Sequence, residues 1–80
     1  MRVTSADSET EYRMRGGSYV MAFKANGGTL DVQVRVEEGV FVSAKQYSED
    51  FVEVADLGRA VCKFVVTGAG KLNVYGGINV

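Results

Sequence analysis

Residues 30–37 read Leu30-Asp31-Val32-Gln33-Val34-Arg35-Val36-Glu37. Every second side chain is aliphatic and those between are polar, so an extended backbone sends the two sets to opposite faces. The stretch is a strand half-buried against a core, with Leu30, Val32, Val34 and Val36 inside. A helix competes poorly because the β-branched valines would crowd its turns.

Outward from this strand the chain is divided by turns. Asn26-Gly27-Gly28 precedes it, three residues that adopt positive φ cheaply. Before that turn, Tyr19, Met21, Phe23 and Ala25 fall on one face at period two. Glu38-Gly39 turns the chain into Val40-Phe41-Val42-Ser43-Ala44. Lys45 to Asp50 reads as a polar loop, with the strand Phe51-Val52-Glu53-Val54 beyond it and Leu57 as an apolar anchor in the next loop. Ala60 to Thr67 is apolar on both sides, as in a central strand. After Gly68-Ala69-Gly70, the residues Leu72, Val74, Gly76, Ile78 and Val80 alternate to the last position, with a bulge expected at Gly76-Gly77. Phe23, Phe64, Val66 and Leu72 or Val74 are expected to pack opposite the Leu30–Val36 face.

Short strands with turn signals every 8–12 residues predict an all-β fold, a small antiparallel β-sandwich or jelly-roll-like barrel. Residues 1–11 are polar apart from Val3, a composition too poor in apolar side chains to order itself, and are expected to form a flexible N-terminal arm. Residues 12–80 then make the single β-sandwich domain. Tyr19 and Tyr75 are expected at the core rim and Tyr47 at the surface of its loop.

Composition narrows the chemistry. Ten glycines, no proline and eighty residues describe one domain and leave no room for a second core. A chain so short buries only ~60–65% of its unfolded surface and usually needs added support. One cysteine, Cys62, forbids an internal disulfide, and the absence of histidine removes Ser-His and Cys-His nucleophile pairs and weakens any zinc reading. No catalytic, metal-binding or cofactor-binding residues are expected. The pairs Glu37-Glu38 and Glu49-Asp50 sit in turn patterns that lack the spacing of a calcium loop or a glycosidase dyad. The glycine turns lead into strands, unlike a phosphate loop, which leads into a helix. Nine Lys+Arg against ten Asp+Glu give no basic excess, so no nucleic acid partner is expected. No apolar run approaches ~18 residues, and Met1 to Arg15 lacks the apolar core of a signal peptide, so no membrane partner is expected and synthesis in a reducing cytosol is.

The chain also resembles small β-sandwich virion proteins of tailed phages and prophages. The likeness is carried by Gly16-Gly17-Ser18-Tyr19, by Gly27-Gly28-Thr29-Leu30-Asp31-Val32-Gln33-Val34, by Asp50-Phe51-Val52-Glu53-Val54, and by Leu57, Gly58, Arg59 and Val61 to Gly68. A tryptophan common before the middle strand is missing here. The resemblance implies a non-enzymatic bacteriophage virion structural protein, a capsid decoration, head or tail component, made in the cytoplasm of a bacterial host and located in the virion. It implies a homo-oligomer bound to other virion proteins such as the major capsid protein, and no catalytic residues. The alternative is a small β binding module recognising a peptide or carbohydrate through surface loops, with Tyr47 as the stacking side chain. Short strands beside loops place the expected subunit contact at Val40, Val42, Tyr47, Phe51 and Val54.

Overall fold

Alternation along the chain becomes two antiparallel sheets in the computed structural model, which describes residues 1–56 and 58–76. The strands are β1 (Arg2–Val3), β2 (Tyr12–Arg13), β3 (Ser18–Lys24), β4 (Leu30–Glu37), β5 (Val40–Tyr47), β6 (Phe51–Asp56), β7 (Val61–Val66) and β8 (Lys71–Tyr75). One sheet has the order β1-β8-β3-β6 and the other β2-β7-β4-β5. Every connection except the β4–β5 hairpin passes from one sheet to the other, which makes the fold a β-sandwich.

The core lies between the sheets. Met21 and Phe23 of β3, Leu30 and Val32 of β4, Cys62, Phe64 and Val66 of β7, and Leu72 and Val74 of β8 are all buried. In β3, β4 and β8 each set is the apolar face of an alternating strand, and in β7, whose run is apolar on both sides, it is the face turned to the other sheet. The tight β3–β4 connection depends on backbone geometry. Asn26 and Gly27 take φ of 47° and 81°, and Thr29 and Thr67 then exchange hydrogen bonds, Thr67 N–H to Thr29 O at 2.9 Å and Thr29 N–H to Thr67 Oγ1 at 2.8 Å. Asp50 secures the same end of β3 by accepting from Ala25 N–H at 2.8 Å and from Lys24 Nζ at 3.0 Å.

Several expectations are corrected. The expected arm, residues 1–11, lies in the sandwich, so the packed unit begins before residue 12. Arg2 and Val3 pair with Asn73 and Leu72, and Val3 is fully buried. Met1 is fixed twice to Val74, its ammonium donating to the carbonyl oxygen and its own carbonyl accepting from the Val74 N–H. A 3-10 turn at Ser5–Asp7 follows, with Asp7 accepting from the Thr4 N–H and hydroxyl. Low average hydrophobicity did not prevent ordering, because a sheet edge satisfies backbone groups whatever the side chains are.

Lys45 to Tyr47 is strand rather than loop: Lys45, Gln46 and Tyr47 face Val32, Asp31 and Leu30 across the ladder. Polar side chains are what an exposed edge strand carries, so composition misled. Val36 is 62% exposed instead of buried. It is the extra residue of a bulge between Arg35 and Glu37, and it lies past the last β4–β7 pair, Val34 with Cys62. The hairpin tip therefore projects beyond its covering sheet. Tyr75 is also exposed, since it pairs with Val20 on the outer face while Val74 points inward. The anchor Leu57, the Gly76-Gly77 bulge and the strand continuation through Ile78 and Val80 involve positions outside the described residues.

Candidate functional site

The five residues expected to form a subunit contact are placed in three different environments. Val40 and Val42 stand 41% and 52% exposed on the projecting hairpin, beside Val36. Tyr47 and Phe51 are half-buried and stack on one another where the chain crosses between sheets. Val54 lies on the outer face of the β1-β8-β3-β6 sheet. The structure does not gather them into one patch.

That outer face is the larger apolar feature. Register sets Val20 between Tyr75 and Val54, and Ala22 between Asn73 and Val52. Val52 and Val54 are 73% and 67% exposed. Both stand on β6, an edge strand whose outward side has no partner among the described residues. Three edges of the sandwich carry the usual protection against pairing with another chain. β1 and β2 are two residues long, and β5 is bulged at Ala44. β6 has six residues and an unbroken register against β3. Its one inward charge, Glu53, is held by the Tyr47 hydroxyl and by Lys45 Nζ at 3.7 Å.

Tyr47 is thus tied into the structure rather than free in a surface loop. Its hydroxyl donates a hydrogen bond to the Glu53 carboxylate. Burial, that hydrogen bond and the nearby negative charge push its phenol up to about 12. With its face against Phe51 and its hydroxyl on Glu53, the side chain nominated for ligand stacking is already engaged.

The opposite outer face has another character. Arg13, Arg15, Arg35 and Arg59 line a single open cleft of about 540 Å³. Its remaining wall is Met14, Ala60 and Val61. Arg13 pairs with Val61 across β2 and β7, and Arg35 follows Val34, the partner of Cys62, so the two arginines stand on the strands either side of Val61. Arg15 and Arg59 continue the two strands beyond the Met14–Ala60 backbone hydrogen bond of 2.8 Å. The cluster is invisible in the net charge of −1 because Arg13-x-Arg15, Arg35 and Arg59 come from distant segments. Only the register of β2, β7 and β4 reveals it. The alternation Arg13-Met14-Arg15 was the one available signal, since it sends two arginines to the same side of an extended segment.

Cys62 is fully buried and burial pushes its thiol up, so it is an inert core residue. Among the described residues no group of three His, Cys, Asp or Glu is placed to hold a metal ion. Among the same residues no helix is long and apolar enough to cross a membrane. Compared with protein-family models, with curated proteins and with solved structures, the chain finds no match in any of the three. The fold itself defines the class: a small two-sheet antiparallel β-sandwich.

Proposed function

We propose that this protein is a non-enzymatic structural component that works by associating with further copies of itself, in the form the sequence resemblance implies, as part of a phage virion. The observation that carries the association is the β6 edge. It is the one long, unbulged edge strand among the described residues, and it presents Val52 and Val54 to solvent. An unprotected edge is a template for strand addition. The occupant that fits is β6 of a second copy, paired antiparallel about a two-fold axis. Such a contact would extend the sheet and join the two Val20–Val52–Val54 patches into one apolar surface. A self-complementary strand needs no other partner sequence.

The virion role rests on the turn and strand motifs from Gly16 to Gly68, and mass spectrometry of purified particles from the source tests it directly. Self-association is tested by light scattering and sedimentation across a hundredfold concentration range. The expected result is a dimer or higher oligomer that dissociates on dilution, with Val52→Glu and Val54→Glu monomeric at every concentration. Both side chains point outward, so the monomer should stay folded. A wild-type monomer throughout the range would refute the association.

A further inference from the structure

We infer that the cleft walled by Arg13, Arg15, Arg35 and Arg59 is a binding site for a phosphate oxyanion, independent of the β6 edge. Four of the five arginines in the chain border this one cavity. None of the four forms an ion pair among the described residues, whereas Lys24, Lys45 and Lys63 pair with Asp50, Glu53 and Glu9. Four like charges gathered around one cleft repel one another. An anion seated among them removes that penalty, so a ligand that binds here also stabilises the fold.

The residue type indicates which anion. Guanidinium offers planar forks of N–H donors that grip oxyanions bidentately, and a lysine point charge does not. The forks enter from separate strands, Arg13 and Arg15 from the β2 side and Arg35 from β4, with Arg59 ahead of β7. A planar carboxylate accepts two forks in its own plane. A tetrahedral phosphate directs oxygens several ways and accepts from forks arriving on different sides. The cavity of about 540 Å³ falls within the ~300–1,000 Å³ range of small-molecule sites. Met14, Ala60 and Val61 give it an apolar floor on which the organic part of a phosphate ester could rest. A free phosphate compound and a nucleic-acid backbone present the same recognised chemistry.

Calorimetric titration at low salt tests the site, using pyrophosphate, a single-stranded oligonucleotide and a hexaglutamate peptide as probes. Pyrophosphate should bind and raise the melting temperature. Arg35→Lys and Arg59→Lys, which keep the charge and lose the fork, should each weaken it about tenfold or more. Arg2→Gln, on a strand that does not line the cleft, should leave it unchanged. Cleft-dependent binding of the oligonucleotide well above that of pyrophosphate assigns the source to a nucleic-acid backbone, and the reverse assigns it to a free phosphate compound. Hexaglutamate binding as tightly as pyrophosphate, lysine variants equal to wild type, or no binding by folded wild-type protein would each overturn the assignment. Light scattering on the Arg35→Lys protein separates this result from that of the β6 contact, since the lysine variant should associate like wild type.

Discussion

The ring of Tyr47 lies on the ring of Phe51, with centroids 3.9 Å apart and planes 17° from parallel. One residue ends β5 and the other begins β6, so the stack joins the edge strands of the two sheets across a short crossover. Phe51 also meets Phe23 at 5.9 Å, which carries the contact into the core. Aromatic pairs of this kind contribute ~0.5–1.5 kcal/mol beyond the area they bury. Phe51→Glu, the natural way to disrupt a surface contact at this position, would therefore damage the fold first. Val52 and Val54 are the better places to test association.

Tyr47 gives a pH signature. Its phenol is held up at about 12 against an ordinary 10.0, chiefly by burial, then by the hydrogen bond and charge of Glu53. The neutral form is favoured in the fold. Its contribution to stability is therefore complete below pH 10 and is lost as pH rises through about 12. Ultraviolet titration of the native protein should show a tyrosine step near pH 12 that Tyr47→Phe abolishes. The same variant should lose less stability than wild type between pH 10 and pH 12 in urea titrations. A late step that survives in Tyr47→Phe would place the shift elsewhere.

The β4 strand separates buried from merely aliphatic positions. Leu30 is fully buried, and Val36 is 62% exposed although the alternation treats them alike. Leu30→Ala should cost ~2–5 kcal/mol through lost transfer energy and the cavity left behind. Val36→Ala should stay within about 0.5 kcal/mol, as at most surface sites. Equal losses in a urea titration would mean that the bulge at Val36 is not populated.

The contrast between those two residues shows what was legible in the chain. Period-two alternation identifies the strands around Met21, Val32 and Leu72, and a run apolar on both sides identifies the central strand around Phe64, because all four turn a face to the same core. Alternation does not locate the end of the covering sheet, so it places Val36 inside, although that side chain is 62% exposed. Composition was the weaker guide. It marked Lys45–Tyr47 as loop and residues 1–11 as an arm, when backbone pairing at a sheet edge ordered both segments. The arginine cleft was hidden for a related reason. Its members are 2 to 46 positions apart, taking Arg13 against Arg15 and Arg59, and meet only once the strands are in register.

The N-terminal segment should behave as part of the sheet. Val3 packs fully buried opposite Leu72, and Val74 bonds the backbone of Met1 through both its polar groups. Trypsin should spare the Arg2–Val3 bond in the folded protein, and Val3→Asp should destabilise markedly by burying an unpaired charge. Rapid cleavage at Arg2 with the remainder still folded would restore the flexible-arm reading.

The last prediction concerns Gly28 and Thr67, where two sheet-crossing turns meet. A Cβ on Gly28 would overlap the carbonyl oxygen of Thr67, backbone that has no freedom to retreat. Thr67 is held there by its N–H bond to Thr29 O at 2.9 Å and by its hydroxyl on Thr29 N–H at 2.8 Å. Gly28 itself donates to Ala25 O at 2.7 Å, which closes the turn ahead of β4. Gly28→Ala must then push the turns apart or break the threonine pair, and overpacking of this kind costs ~1–3 kcal/mol. Gly27→Ala makes a controlled comparison. It meets no atom within reach and is penalised only for its φ of 81°, a left-handed conformation worth roughly 1–2 kcal/mol against a Cβ. Asparagine tolerates that conformation better, so Gly27→Asn should recover much of the Gly27→Ala loss, whereas Gly28→Asn should recover none. Urea titration of the four variants checks this pattern. Recovery by asparagine at position 28 would show that backbone conformation, not the closeness of Thr67, is what demands glycine there.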